Sequence, residues 1–381
     1  STLQVFIAQL SLNSQEVPSK IQKAVEVMSK QTNPSIPGPS QVNFKGTAGE
    51  YFGIWIVNVI LSIITIGIYS AWAKVKRETY FKNNTKIGET GFGYHATGMQ
   101  ILKGRLIAIA VLILINIAGT FYPVIGGAIF VILIFLIPLI INNSMRFSAR
   151  VTSFRNIRFN WHGTYGKSLW FFVIAPIVSI LSLGILMPLI SKAYYTYFAR
   201  SHSYGTSSFS CDPKVKDYYV AYGVGVVLPV FLIIAFLAIF GFATFTNLSS
   251  GLIPTSGTME ISLSGFVPLT IILIFVLTTS VYRVLCRNLM MRSLTLSDVA
   301  NFDSTINPIK FVWIRLSNLI VIILSLGLML PWATVRAHKY LSECSKIIVI
   351  GDLEKFIDDA TDKKSSFGEE FAELEGFEVT I

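Results

Sequence analysis

The sequence is poor in charge. Only 14% of its 381 residues are Asp, Glu, Lys or Arg, whereas 52% are hydrophobic. A soluble protein carries roughly 25% charged residues. Several apolar runs reach the length of about 17 residues that a helix needs to cross a bilayer. This composition excludes an ordinary soluble protein and predicts an integral membrane protein.

The apolar runs also lack ionisable side chains. No Asp, Glu, Lys, Arg or His occurs in six segments, at 51–73, 106–142, 169–191, 218–246, 265–282 and 316–334. Carriers that couple transport to protons or cations usually keep such a group at membrane depth. This absence argues against an acid-relay pump or symporter.

Cysteine and histidine are scarce, and neither forms a recognisable motif. The residues are Cys211, Cys286, Cys344, His95, His162, His202 and His338. Their spacing matches no disulfide framework, zinc site or nucleophile–base set. We therefore predict no catalytic residue, no metal site and no cofactor, and rank an enzyme below the other classes. The first residues also lack the basic region of a cleavable signal peptide.

The net charge of +10 is unevenly distributed. Residues 352–381 carry ten acidic residues and three lysines, a balance of −7, which leaves +17 for the remainder. In a membrane protein, such positive charge usually sets the topology and faces lipid headgroups. We therefore predict membrane lipids, mainly anionic ones, as partners, and not nucleic acid.

One pattern occurs three times, centred on Gly67, Gly184 and Gly327. We call the three copies anchor segments, at 50–80, 168–198 and 311–341. A hydroxyl residue lies two positions before each glycine, at Thr65, Ser182 and Ser325, and a tyrosine lies thirteen after it, at Tyr80, Tyr197 and Tyr340. Nine before it, Asn58 and Asn318 match, with Ala175 between them. Matches at fixed offsets predict an internal repeat.

The rest of the chain is arranged around these segments. We predict an N-terminal amphipathic helix and Pro/Ser linker at 1–41, a first repeat at 42–142, a second at 143–290, the third anchor at 291–345 and an acidic tail at 346–381. Short strands flank the anchors at 42–46, 89–97 and 159–163. Spanning helices are predicted at 104–120, 122–142, 218–246 and 265–286.

The distribution of basic residues predicts the topology. The loop at 245–265 has no Lys or Arg and is placed outside, whereas the basic segments 143–167 and 191–217 are placed inside. The second anchor joins these two inside segments, which favours a re-entrant anchor broken near its Gly and Pro. The alternative is an ordinary kinked helix and a seven-span protein. The predicted fold is an all-α polytopic membrane protein with four spanning helices, three re-entrant or kinked anchors and small cytoplasmic β elements.

Three sets of candidate residues follow. A polar lining would use Asn58, Thr65, Asn116, Ser182, Asn318 and Ser325; the alternative for these side chains is interhelical hydrogen bonding. Because Asn58 and Asn318 occupy matched positions, we predict that they face one another or a shared cavity. The anchor breaks would lie at Gly67, Gly184, Pro188, Gly327 and Pro331. Lipid headgroups would contact Lys74, Lys76, Arg77, Lys192, Arg336 and Lys339, unless these residues only set topology.

The ordered motifs resemble the YjgN-like bacterial inner-membrane proteins. The resemblance rests on the anchor pattern, on Phe44-Lys45-Gly46 before it, on 91–94 after it and on 368–373, and it covers about 42–381. The second anchor departs from the pattern at Ala175 and Leu189. The resemblance implies a bacterial inner-membrane protein and implies no activity. The charge distribution predicts that both termini lie in the cytoplasm.

Two hypotheses for function remain. The first is a passive conduit or transporter for a small solute or lipid, built from the three anchors. The second is a non-catalytic membrane scaffold that binds anionic lipids or protein partners through its basic cytoplasmic face.

Overall fold

The structure is a computed structural model. It describes residues 39–227, 229–231, 233–235, 238, 278–297 and 299–351. The predicted amphipathic helix and most of its linker, the loop at 245–265, most of the helix at 265–286 and nearly all of the acidic tail lie outside these residues.

Ten short antiparallel strands form a closed barrel. They are β1 Pro39–Phe44, β2 Thr85–Ile87, β3 Thr90–Tyr94, β4 Thr152–Phe154, β5 Ile157–Trp161, β6 His202–Tyr204, β7 Ser207–Cys211, β8 Leu294–Leu296, β9 Ala300–Ser304 and β10 Ser345–Val349. Each strand pairs with its neighbours in chain order, and β10 pairs with β1 to close the ring. The predicted all-α fold is therefore wrong: the strands near the anchors are parts of one barrel.

One layer of apolar side chains fills the barrel, with one residue from each strand. Side chains alternate between the two faces of a strand, so residues paired across neighbouring strands point to the same side. The paired residues are Val42 and Ile87, Phe92 and Phe154, Phe159 and Tyr204, Phe209 and Leu296, and Phe302 and Ile347. Nine of these ten, all but Val42, belong to one hydrophobic cluster. The barrel interior is thus a packed core.

Tyr204 is the one residue of this layer that carries a hydroxyl group. Burial raises the pKa of Tyr204 to about 12, so the phenol stays protonated. Its hydroxyl donates a hydrogen bond to the Phe154 carbonyl oxygen at 2.9 Å. A buried hydroxyl needs such a partner to avoid the cost of desolvation.

In the part of the chain that the structure describes, five helix pairs connect the strands. Three short pairs join neighbouring strands: α1 Ala48–Ile64 with α2 Ser70–Asn84, α5 Tyr165–Leu181 with α6 Met187–Arg200, and α9 Pro308–Leu324 with α10 Leu330–Glu343. Two longer pairs are α3 Gly98–Phe121 with α4 Pro123–Arg150, and α7 Val215–Ala235 with α8 at 278–292. Helices α3, α4 and α7 are long and apolar enough to cross a membrane. The predicted fourth spanning helix lies mostly outside the described residues.

Each anchor segment is one of the short pairs, and each reverses direction at its glycine. The residue before each glycine adopts left-handed backbone angles, with φ of 51° at Ile66, 51° at Leu183 and 50° at Leu326, and the glycines follow at 86°, 81° and 89°. In the first pair, the Gly67 N–H donates to the Ser62 carbonyl and the Ile66 N–H to the Ile63 carbonyl. This is a Schellman motif, which ends a helix while satisfying its last carbonyls.

The apolar residue in each turn is exposed. Ile66 is 93% exposed, Leu183 90% and Leu326 94%. The left-handed conformation costs roughly 1–2 kcal/mol for a residue with a side chain, and such exposure of large apolar groups is unfavourable in water. The tips of the short pairs are therefore suited to contact with lipid.

A glycine substitution tests the turn. Gly327→Val should lower the melting temperature of the protein in detergent, because valine is β-branched and Gly327 has φ +89°. We expect a loss of at least about 1–2 kcal/mol in the free energy of unfolding. Gly104→Val is the matched control, since Gly104 is helical and has open space around its Cα. Equal melting temperatures for the two variants would contradict this account of the turn.

Candidate functional site

The three anchor hydroxyls serve the turns. Thr65 Oγ1 donates to the Leu61 carbonyl at 2.7 Å and accepts from the Tyr69 N–H at 2.9 Å. Ser182 and Ser325 act in the same way, donating to Ser179 and Ile322 carbonyls and accepting from the Leu186 and Met329 N–H groups. These bonds all stay within one helix pair, so they support helix ends and do not form a shared polar ring.

The prolines and tyrosines of the anchors also have local roles. Pro188 and Pro331 are buried at the start of α6 and α10, where a missing N–H costs nothing. The tyrosines reach back to the start of the first helix of their pair. Tyr80 donates to the Thr47 carbonyl at 2.8 Å, Tyr197 bonds Ser168 Oγ at 3.0 Å, and Tyr340 contacts the Asn307 backbone. These tyrosines close the open end of each pair, a role that the sequence analysis did not assign.

The three candidate asparagines lie in different environments. Asn318 is buried and bonds within the third pair, donating to the Ala333 carbonyl at 2.9 Å and accepting from Arg336 at 3.1 Å. Asn116 is exposed on α3 and donates to the Leu112 carbonyl at 2.8 Å. Asn58 is buried, and its Oδ1 has no hydrogen-bond partner. No hydrogen bond joins Asn58 to Asn318.

Asn58 lines a cavity of about 520 Å³ between the first helix pair and α3. We call it the first cavity. Its walls are Tyr51, Trp55, Asn58, Val59, Ser62, Ile63, Ser70, Ala73, Lys74, Arg77 and Arg105. It combines three cationic side chains with an aromatic and aliphatic wall, and no acidic side chain lines it.

Two of the cations that line the first cavity, Arg105 and Arg77, contact other side chains. Arg105 on α3 donates to the Ser70 hydroxyl at the start of α2. Arg77 on α2 forms an ion pair with Glu78 at 2.8 Å, although both side chains are partly exposed. Lys74 directly follows the charge-free stretch 51–73, and Arg105 directly precedes the charge-free stretch 106–142. Such positions are typical of the membrane–water interface, where long cationic side chains extend to the headgroups.

The remaining basic candidates are mostly engaged elsewhere. Lys76 lies over the Tyr69 ring at 5.6 Å, Arg336 bonds Ser317 and Asn318, and Lys339 lies 3.9 Å from Glu343. Lys192 pairs with Asp212 at 3.1 Å. The structure therefore gathers Asn58, Lys74 and Arg77 with Arg105, which sequence reasoning missed, and leaves the other candidates apart.

The histidines and acidic residues of the described segments do not cluster. In the described part of the chain, no group of three or more His, Cys, Asp or Glu residues is placed to hold a metal ion. His95 and His162 bond serine hydroxyls of neighbouring strands, at 2.7 Å to Ser153 and 3.0 Å to Ser203. These contacts join barrel strands.

Long apolar helices attached to the barrel, with cations at the edges of charge-free stretches, define an integral membrane protein. Residues 39–374 match the DUF898 family, described as bacterial proteins of unknown function. The chain belongs to this family.

The relatives of this chain are named as inner membrane proteins. The chain is 24% identical over 355 residues to an inner membrane protein YjgN of Salmonella typhimurium strain LT2, covering 82% of this chain and 88% of the relative. It is 30% identical over 159 residues to the YjgN protein of Escherichia coli O157:H7, covering 41% of this chain and 39% of the relative. No solved structure matches. The resemblance seen in the sequence is confirmed, and the protein is an inner-membrane protein.

Asn58 and Asn318, the two buried asparagines among the candidate residues, provide a direct test of the site. Asn318→Leu should destabilise the protein in detergent by roughly 1–3 kcal/mol, because it removes the buried hydrogen bonds of Asn318 with Arg336 and with the Ala333 carbonyl. Asn58→Leu should be neutral or stabilising, because its carbonyl oxygen has no partner to lose. Thermal unfolding of both variants measures the difference. A larger loss for Asn58→Leu would show that its amide is already satisfied.

Proposed function

We propose that this protein is a membrane-embedded lipid-binding protein whose first cavity holds the headgroup of an anionic phospholipid. The proposal is carried by one observation: a buried amide oxygen without a hydrogen-bond partner and three cations line a cavity whose other wall is apolar. It is the lipid-binding form of the scaffold hypothesis.

The chemistry of the walls matches an anionic lipid. Arginine binds phosphate oxygens in a bidentate manner, and lysine supplies a compact positive charge. Arg105 and Lys74 would neutralise the phosphate, while the ring of Trp55 and the side chains of Val59 and Ile63 would lie beside the first part of the acyl chains. The Asn58 amide would meet the polar groups between them.

We further infer the arrangement in the membrane. The barrel lies on the cytoplasmic side, the long pairs cross the bilayer, and the three short pairs enter from the barrel side and return to it. Both ends of every short pair connect to neighbouring barrel strands, which supports this arrangement. The matched turns, hydroxyls and tyrosines support the proposal that the three short pairs are copies of one unit.

The conduit hypothesis finds less support. A path along the barrel axis would pass through the layer of apolar side chains that fills the interior. The hydroxyls proposed to line a path are bonded to their own helix ends. Transport stays a prediction of the sequence.

Lipid titration tests the first cavity. The purified full chain in detergent should bind dioctanoyl phosphatidylglycerol, detected by native mass spectrometry and by a rise in melting temperature, and bind dioctanoyl phosphatidylcholine more weakly. Lys74→Gln with Arg105→Gln should weaken phosphatidylglycerol binding about 30-fold, since each basic residue contributes about 1 kcal/mol.

Lys103→Gln is the matched control, because Lys103 is an exposed cation on the same helix but does not line the cavity. Equal weakening by the control and the double variant would indicate a diffuse surface effect and contradict the site.

Cysteine labelling tests the topology. Cysteine is introduced at two positions. Thr206 lies in the exposed turn between β6 and β7, and Ser256 belongs to the predicted outside loop, which has no Lys or Arg. In a Cys344→Ser background, a membrane-impermeant maleimide should label Ser256→Cys in intact spheroplasts, and Thr206→Cys only after permeabilisation. Labelling of Thr206→Cys in intact spheroplasts would place the barrel on the other side.

A further inference from the structure

A second cavity, of about 730 Å³, lies between α5, α6 and the start of α7. Its lining combines cations, hydroxyls and aromatic rings. The residues that matter here are Lys167, Lys192, Arg200, Thr196, Trp170 and Tyr197. Cavities of this size hold small organic ligands.

The charge of the second cavity is one-sided. Three cationic side chains line it, and no Asp or Glu is among the lining residues. Lys192 pairs with Asp212 at 3.1 Å, but the Asp212 side chain is 74% exposed and lies outside the lining. Lys167 and Arg200 form no ion pair with the described residues. Two uncompensated cations therefore face the cavity, which fits a ligand that carries two negative charges.

A buried polar atom also points to a ligand. Thr196 Oγ1 is buried and has no hydrogen-bond partner among the described residues. Burying a hydroxyl without a partner costs free energy, and such groups are rare in folded proteins. Only three side-chain atoms in the described part of the chain are in this state, and two of them, on Asn58 and Thr196, belong to residues that line the two cavities.

A comparison with the first helix pair shows that the positive charge at position 167 is specific to the second helix pair. Glu50 of the first pair and Lys167 of the second lie at the same distance before Gly67 and Gly184. The Glu50 carboxylate lies 3.0 Å from the Tyr80 hydroxyl. The matched residue of the second pair is Lys167, whose ammonium lies 5.9 Å from the centre of the Tyr197 ring. The same position is thus acidic in one pair and basic in the other.

The second cavity opens at the barrel end of its helix pair. His162, Thr164 and Ser201 adjoin strands β5 and β6, and they line it together with Arg200. By contrast, the first cavity is lined mainly by residues of the charge-free stretch 51–73. A ligand of the second cavity can therefore come from the aqueous phase as well as from the headgroup layer.

We infer that the second cavity binds a phosphate monoester, either on a soluble organic compound or on a lipid headgroup. Lys167 and Arg200 would bind the phosphate oxygens, Thr196 would donate its hydroxyl hydrogen to one of them, and Trp170 and Leu189 would contact the organic part. This site does not depend on lipid binding in the first cavity.

Calorimetry on the full chain in detergent tests the inference. The probes are sn-glycerol 3-phosphate for the soluble source and dioctanoyl phosphatidic acid for the lipid source. The controls are glycerol and dioctanoyl phosphatidylcholine, which carry no net charge and no phosphate monoester. We expect at least one phosphate probe to bind and neither control to bind. Binding of one phosphate probe alone identifies the source, and binding of both shows that the site accepts a phosphate monoester from either source.

Variants separate this site from the first cavity and from general charge effects. Lys167→Gln and Arg200→Gln should each weaken binding about tenfold, and Thr196→Val should weaken it while keeping the shape of the side chain. Lys103→Gln should leave it unchanged, because Lys103 is an exposed cation that lines neither cavity. The inference would be overturned if neither phosphate probe bound, or if Thr196→Val and Lys167→Gln, each with a normal melting temperature, bound as tightly as the unaltered chain.

Discussion

The pairing of β10 with β1 is the contact on which the rest of the structure depends. The strands have only three to six residues, and a short strand at an open edge would leave its N–H and C=O groups unpaired. Closure removes both edges. Because every helix pair begins and ends in barrel strands, the ring of hydrogen bonds also fixes where each pair stands relative to its neighbours.

The cavities follow from this placement. The first forms where the first short pair meets the long helix α3, and Arg105 reaches across to Ser70. The second forms where the second short pair meets the start of α7. Each lies between elements that are joined through the barrel, so the barrel acts as the rigid base on which both groups of cations are arranged.

The turns at Gly67, Gly184 and Gly327 depend on contacts that are local in the sequence, whereas the barrel depends on contacts between distant residues. The glycine, the hydroxyl and the tyrosine act within about 35 residues of one another, so their pattern could be read directly from the chain. The barrel depends on pairings such as Phe92 with Phe154 and Pro39 with Ile348, which join residues separated by whole helix pairs. Strands of three residues carry too little alternation to reveal such partners. Arg105 was missed for the same reason, since only packing brings α3 against α2.

The length of the short pairs has a consequence for the bilayer itself. Their first helices have 17 residues, about 25 Å at 1.5 Å per residue, and part of that length adjoins the barrel. Hydrocarbon is about 30 Å thick, so in the proposed arrangement the exposed tips at Ile66, Leu183 and Leu326 end inside it. The three short pairs would then occupy area only in the leaflet nearest the barrel, whereas the long pairs would occupy area in both leaflets. In that arrangement the protein would be wedge-shaped within the membrane, and such a shape would favour bilayers in which the leaflet nearest the barrel is convex.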